Sequence, residues 1–375
     1  MKILLTGGGT GGHFWPLIAV AEQLQELREK EKILSFKLYY MSDAPYNKLA
    51  LFENQIEFIS VPAGKLRTYN SFRNFFDIFK TGWGCIIGLI KVFSLYPDIV
   101  FSKGGYASFP ALFAAHILRI PVIIHESDTV PGRVNLWASK FAKKIAVSYP
   151  EAAKHFPESK VAHIGQPIRR DIVQKSKSGG YDYFKIDPTI PTILIVGGSQ
   201  GAKIINDTIV DILPEILKEF QVIHQTGELL YQETTYRTSV VLNKNNFKER
   251  YHPFANLSTS DLKYAAGVAD LIVSRAGSMI FEIAGWGIPS IIIPISPEVS
   301  RDQTSNAFSY ARTGACIVIE ESNLTPSILF AQIKHVLDDV ALRNAMTEKT
   351  KVIGKLDSAQ VLAQALLDIA IKHEE

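Results

Sequence analysis

The sequence predicts an α/β chain of two doubly wound parallel-sheet domains facing a shared cleft. Three observations carry this. Strand-like apolar runs alternate with amphipathic, helix-like stretches along most of the chain. The first run ends in a glycine turn, Gly7-Gly8-Gly9-Thr10-Gly11-Gly12-His13. The same strand, glycine turn and helix begin again near the middle, where the turn is Gly197-Gly198-Ser199-Gln200-Gly201-Ala202. The length of 375 residues also exceeds the usual size of one core.

In order, residues 3–6, 36–41, 58–61, 99–102, 122–125, 145–147 and 161–164 read as strands. Amphipathic stretches such as 17–27 and 111–118 lie between them, and the first helix is expected from about Pro16. The composition then turns polar at Lys175-Ser-Lys-Ser-Gly-Gly180, a flexible stretch. The linker is placed just before it, near residues 165–171, because a second domain needs its own first strand at 192–196. Strands at 222–224, 271–274, 290–293 and 316–319 and a helix from about Lys203 complete that domain. The expected division is 1–167 and 168–354. A last helix near 355–375 has a periodicity that fits docking on either domain.

Bulk properties narrow the function. Hydrophobic residues make up 47% and charged residues 21%, which describes an ordered globular chain. A net charge of +3 is too small to argue for nucleic acid, although more of the bases lie in the N-terminal half, as suits an anionic membrane surface. Cys85 and Cys316 give neither a disulfide framework nor metal-ligand spacing, and Met1 leads straight into a strand, so a cytoplasmic location is expected. The best spanning candidate, residues 81–90 between Lys80 and Lys91, is far short of the roughly 20 residues a bilayer needs.

Glycine turns before helix N-termini let backbone N–H groups approach an anion, and His13 adds a titratable group there. Gly7, Gly9 and Gly12 also satisfy G-x-G-x-x-G, so a nicotinamide-dinucleotide enzyme is a rival. It would use Asp43 on the ribose, but Asp43 lies well beyond the usual spacing of about 20 residues. In Ser274-Arg-Ala-Gly277-Ser278-Met279-Ile-Phe-Glu282, a turn precedes a short helix whose Glu282 can accept two hydrogen bonds from a cis-diol. The plainer alternative is a carboxylate that only favours the helix dipole. Asp302-Gln303-Thr-Ser-Asn306 starts another helix after a strand, with ordinary capping by Ser300 or Asp302 as its plainer reading. His125-Glu-Ser-Asp128 closes an apolar strand, with Arg133 and Asn135 within reach. No convincing metal carboxylate pair appears, so chemistry without metal or bound cofactor is expected.

Residues 71–96 carry Phe72, Phe75, Phe79, Trp83, Ile86, Ile90 and Phe93 at helical spacing, flanked by Arg73, Lys80 and Lys91. A buried core stripe and an exposed membrane-facing stripe both fit. Phe76, Ile78, Ile87 and Leu89 broaden the stripe, while Gly82, Gly84 and Gly88 weaken it as a rigid helix.

Taken in order, Gly8-Gly-Thr-Gly-Gly-His13, Ser102-Lys-Gly-Gly-Tyr106, His125-Glu-Ser-Asp128 with Pro131-Gly132 and Asn135, Gly197-Gly-Ser-Gln-Gly-Ala202, Ser274-Arg-Ala-Gly-Ser278 with Glu282, and Asp302-Gln303 with Asn306 resemble the MurG family of bacterial glycosyltransferases. The resemblance runs from residue 2 to about 315. It implies a GT-B fold, two Rossmann-like domains around a cleft, and transfer of GlcNAc from UDP-GlcNAc to the MurNAc 4-hydroxyl of undecaprenyl-diphospho-MurNAc-pentapeptide (lipid I). It implies donor contacts at Thr10, Gly11, Gly12, Asp128, Arg169, Ser199, Ser278, Met279, Glu282 and Gln303, and acceptor contacts at Gly104, Gly105, His125 and Asn135. His13 or Asp128 would be the catalytic base. A peripheral site on the cytoplasmic face of the membrane would use Phe75, Phe79, Trp83 and Ile86 with Lys80 and Lys91, and the last helix would cross back to the N-terminal domain. Asp128 and Asp302 depart from many family members. A GT-B transferase with another lipid acceptor, a dehydrogenase and a non-catalytic membrane adaptor stay open as alternatives.

Overall fold

The computed structural model describes residues 1–65, 72–198, 201–296 and 301–374, without the side chains of 72–74, 301, 302 and 374. It divides into two compact units, Met1–Arg169 with Leu356–Glu375, and Arg170–Lys355.

The N-terminal unit is built on seven strands: β1 Lys2–Thr6, β2 Lys37–Ser42, β3 Ile56–Ser60, β4 Ile99–Ser102, β5 Val122–Glu126, β6 Lys144–Val147 and β7 Val161–His163. All pairs are parallel, in the order β3-β2-β1-β4-β5-β6-β7. The central strands β1, β4 and β5 are almost wholly buried, because helices cover both faces. The chain reverses direction across the sheet between β1 and β4. That is the switch point where ligands sit in open α/β sheets.

The C-terminal unit repeats the plan with β8 Thr192–Val196, β9 Gln221–Gln225, β10 Tyr251–Phe254, β11 Leu271–Ser274, β12 Ser290–Ile292 and β13 Cys316–Val318. The order β10-β9-β8-β11-β12-β13 is parallel throughout and puts the switch point between β8 and β11. The α/β class and the two doubly wound sheets are as the sequence predicts. β10 is an additional strand. It lies at the sheet edge, where Pro253 does no harm because one side of the strand needs no donors.

Three local features differ from expectation. The first helix is Gly11–Lys30, so it begins inside the glycine turn and contains Pro16. His13 therefore stands in the first helical turn, with its N–H and that of Phe14 both directed to the Thr10 carbonyl. The polar stretch after Lys175 is not loose: Lys177–Phe184 is a helix packed on the Thr259–Val268 helix, where a β-carbon at Gly180 would stand 2.6 Å from the Tyr264 carbonyl oxygen. Trp286 anchors the preceding segment, its Nε1 donating to the Ile172 carbonyl at 2.7 Å.

The third is the aromatic helix, Phe72–Leu95, which is continuous for 24 residues. A 21-residue part, Phe75–Leu95, is long and apolar enough to cross a membrane by length and composition, so the ten-residue expectation was too short. The helix is nevertheless fixed to the unit along one face. Gly84 and Gly88, one turn apart, are buried there against Pro62 and Pro110, with Cys85 and Val92 beside them. These glycines serve close packing rather than weakening the helix. The aromatic stripe faces away: Phe75, Phe79, Trp83 and Ile86 are all more than half exposed.

The last helix, Ser358–Glu374, lies on the Gly11–Lys30 helix of the N-terminal unit. Leu362, Ala363, Leu366, Leu367 and Ala370 join Ile18, Ala21 and Leu24 in one buried cluster. The Ser358 hydroxyl donates to the Ile164 carbonyl at 2.6 Å and fixes its start.

Candidate active site

In the N-terminal unit the turns leaving β1 and β4 interlock. A β-carbon at Gly8 would stand 2.4 Å from that of Ala107, and one at Gly9 would stand 2.9 Å from the Tyr106 ring. Gly9, Gly104 and Gly105 have φ of 80°, 75° and 83°, which only glycine adopts without strain. The Tyr40 hydroxyl holds the Gly7 carbonyl from below at 2.9 Å. Asp43 accepts from the Tyr106 hydroxyl at 2.7 Å and from Ser42 at 3.3 Å. It thus ties the two turns together, which is a different job from gripping a ribose.

His13 is brought to the middle of this arrangement. Its Nδ1 lies 3.0 Å from the Lys103 carbonyl, which can only accept, so Nδ1 carries the hydrogen. The other nitrogen, Nε2, faces Gly105, 3.4 Å from where a β-carbon there would stand. It keeps a lone pair. Burial and the nearby Lys103 ammonium hold the His13 pKa below 6.5, opposed by Asp128 and by the hydrogen bond to the Lys103 carbonyl. The imidazole is thereby kept neutral, the form that can accept a proton.

The end of β5 forms the floor. Glu126 accepts from the N–H groups of Ser127, Asp128 and Gly132 and from Asn135 Nδ2, at 2.8–3.1 Å. Burial and Asp128 push its pKa up to about 6, against those donors. Asn135 packs under Gly104, where a β-carbon would stand 2.7 Å from its amide nitrogen. His125 is fully buried: Nε2 meets the Gly165 carbonyl at 2.9 Å and Nδ1 meets Lys103 Nζ at 2.5 Å. His125 and Asn135 are therefore buried supports of the turn rather than exposed groups. Arg169 stacks on Trp15 at 4.1 Å, on the helix that carries His13.

In the C-terminal unit the turns after β8 and β11 leave adjacent strands at the same end, because Val196 pairs with Ser274. The Ser274 hydroxyl donates to the Val196 carbonyl at 3.1 Å. Gly198, with φ of 92°, and Gly277 both have open space where a side chain would be. Ser278 precedes the Met279–Trp286 helix, and Glu282 lies in its first turn. The Gln303 Oε1 accepts from the Ile295 N–H at 3.2 Å and fixes the segment after β12. The Arg275–Glu321 ion pair braces the same segment at 2.6 Å, with Ser296 N–H donating to Glu321. Ser199 and the side chain of Asp302 lie outside the described residues.

The residues that sequence reasoning did not single out are Lys103, Ser127, Gln166 and Tyr106. Lys103, Tyr106 and Ser127 do stand inside motifs that carry the family resemblance, but those motifs assign them no role of their own.

Two parallel-sheet units, each with glycine turns at its switch point, define an α/β protein of the GT-B type. Comparison with known proteins makes this specific. Residues 3–147 match the glycosyltransferase family 28 N-terminal domain, and residues 192–364 match the glycosyltransferase family 28 C-terminal domain. A UDP-N-acetylglucosamine–N-acetylmuramyl-(pentapeptide) pyrophosphoryl-undecaprenol N-acetylglucosamine transferase of Bacillus cereus is 36% identical over 97% of this chain and 98% of its own. The Clostridium novyi protein of that name is 33% identical over 96% and 94%. The crystal structure of Acinetobacter baumannii MurG superposes with a TM-score of 0.73, at 25% identity, over 98% of this chain and 99% of that one. The chain belongs to this family, the MurG glycosyltransferases.

Proposed function

We propose that this enzyme transfers GlcNAc from UDP-GlcNAc to the MurNAc 4-hydroxyl of lipid I by inverting single displacement, at the cytoplasmic face of the membrane. The observation that carries the mechanism is His13: a neutral imidazole with its Nε2 lone pair presented beside the Gly105 turn. In this reading the acceptor hydroxyl attacks the anomeric carbon, its proton passes to His13 Nε2, and UDP leaves. Asp128 favours the imidazolium so formed, being a negative charge close to His13. Proton removal at this step is general base catalysis.

Glu282 is proposed to hold the ribose hydroxyls, and Ser278, Met279, Gln303 and Ser199 the rest of the donor. Thr10, Gly11, Gly12, Asp128 and Arg169 are proposed donor contacts from the N-terminal unit. The helix N-terminus after Ser278 suits the charge that grows on the departing diphosphate. Gly104 and Gly105 are proposed to cradle the acceptor's own diphosphate, with His125 and Asn135 supporting them from beneath. The deciding experiment is UDP release from UDP-GlcNAc with and without a lipid I analogue. Acceptor-dependent release is expected, and release that ignores the acceptor would contradict the reading.

The exposed stripe Phe75, Phe79, Trp83 and Ile86, with Lys80 and Lys91, is proposed to dip into the lipid interface. Each aromatic ring so buried contributes on the order of 1.5–3 kcal/mol. Replacing Phe79 and Trp83 together by Ser should therefore cut binding to phosphatidylglycerol vesicles by at least about tenfold. Turnover of a short-chain soluble acceptor should stay intact. Sedimentation with vesicles checks this, and unchanged co-sedimentation would remove the stripe from the membrane contact.

A further inference from the structure

We propose that Lys103 is a positioning residue for the acceptor: its buried ammonium locks the Gly104–Gly105 turn to the Ser127–Asp128 loop and supplies positive charge beneath an anionic acceptor group. This rests on the reading that the acceptor diphosphate lies at that turn.

The side chain is 1% exposed. Its three hydrogens match three acceptors: His125 Nδ1 at 2.5 Å, Ser127 Oγ at 2.5 Å and Gln166 Oε1 at 3.2 Å. His125 must accept, since its Nε2 donates to the Gly165 carbonyl. Gln166 Oε1 also accepts from the Ser127 and Ser148 hydroxyls, at 3.1 and 2.8 Å. Donor and acceptor counting thus fits a charged ammonium. All three partners are neutral, and buried charge without a counter-charge in contact is costly. Of the two carboxylates whose charge reaches it, Glu126 is committed to the loop's N–H groups and Asp128 acts on His13 as well. An anionic ligand at the adjoining turn would complete the balance. The backbone of Lys103 points the same way: its N–H meets the Thr6 carbonyl at 2.9 Å, and its own carbonyl sets the His13 tautomer.

The titratable groups that face this ammonium are His13 from the Gly11–Lys30 helix and His125, Glu126 and Asp128 from the end of β5. Burial pulls the Lys103 pKa from 10.5 down to about 7, while Glu126 and Asp128 raise it. Its charge is therefore lost as pH rises through that value, and acceptor binding should weaken in step.

The test uses the full chain, UDP release at saturating UDP-GlcNAc, and a short-chain polyprenyl-diphospho-MurNAc-pentapeptide as the varied acceptor. Lys103→Met should raise the acceptor KM by roughly tenfold or more and leave the UDP-GlcNAc KM within about twofold. Lys103→Arg keeps the charge and should recover part of the loss. The wild-type acceptor KM should climb above pH 7, and that of Lys103→Met should stay flat. A folded Lys103→Met with a wild-type acceptor KM, or with both KM values raised equally, overturns the proposal. Should Lys103→Met not fold, Ser127→Ala removes one acceptor and keeps the buried charge. A smaller rise confined to the acceptor KM is then expected, and no change overturns the proposal. Wild-type enzyme without any acceptor-dependent UDP release would instead sink the substrate reading beneath it.

Discussion

His13→Ala is expected to lower kcat by about 10²–10⁴-fold, the usual worth of a positioned general base. The UDP-GlcNAc dissociation constant should hardly move, because the imidazole's other nitrogen is spent on the Lys103 carbonyl. His13→Asn separates the two jobs. Its amide can still donate to that carbonyl but cannot take a proton at neutral pH, so it should be nearly as slow as the Ala variant while melting close to wild type. The pH profile gives an independent check. Burial and Lys103 depress the His13 pKa, so the acid limb of kcat/KM should fall below pH 6.5, the ordinary histidine value. Steady-state turnover with calorimetric donor titration decides the matter, and wild-type-like turnover in His13→Ala would end the base assignment.

The second large effect concerns stability. Gly84→Ala should cost about 1–3 kcal/mol as an overpacking defect. Its β-carbon would stand 1.8 Å from the Pro62 carbonyl oxygen and 2.9 Å from the carbonyl carbon, so backbone must give way. Gly82→Ala, two residues earlier in the same helix, meets nothing within 4 Å. It should stabilise by about 0.5–1 kcal/mol, since glycine is the poorer helix former. Melting temperatures of the two variants should therefore move in opposite directions, by about 2–4 °C per kcal/mol for a unit of this size. Equal shifts would mean that the buried glycine face is not what fixes the helix against Pro62 and Pro110. The pair also tests the membrane reading, because a displaced helix carries its aromatic stripe with it.

The sheets were legible because parallel strands buried on both faces read as unbroken apolar runs, as in Thr192–Val196 and Leu271–Ser274. Tyr251–Phe254 escaped because His252 and Pro253 interrupt any such run, and only an edge position tolerates them. The helix start at Gly11 escaped because Pro16 looked like a first-turn proline and the glycines looked like loop. Of the candidate site, the turns and His13 could be read from chain order alone. Lys103 could not: a lysine is ordinarily a surface residue, and its burial depends on partners at positions 125, 127 and 166 that only folding assembles. The glycines of the aromatic helix misled for a related reason. Propensity treats Gly84 and Gly88 as defects until a neighbouring backbone is seen to need the space.

The helix Ser358–Glu374 has a consequence for biosynthesis. It covers the Gly11–Lys30 helix, yet a ribosome makes it after every residue of the C-terminal unit. Domains ordinarily fold in the order in which they emerge. Here the first unit to emerge waits for Ser358–Glu374 to complete its buried cluster, while the unit made second has all its parts sooner. Chains stalled before Ser358 would leave that cluster incomplete, and transiently exposed apolar surface of this kind is what makes folding intermediates prone to aggregate.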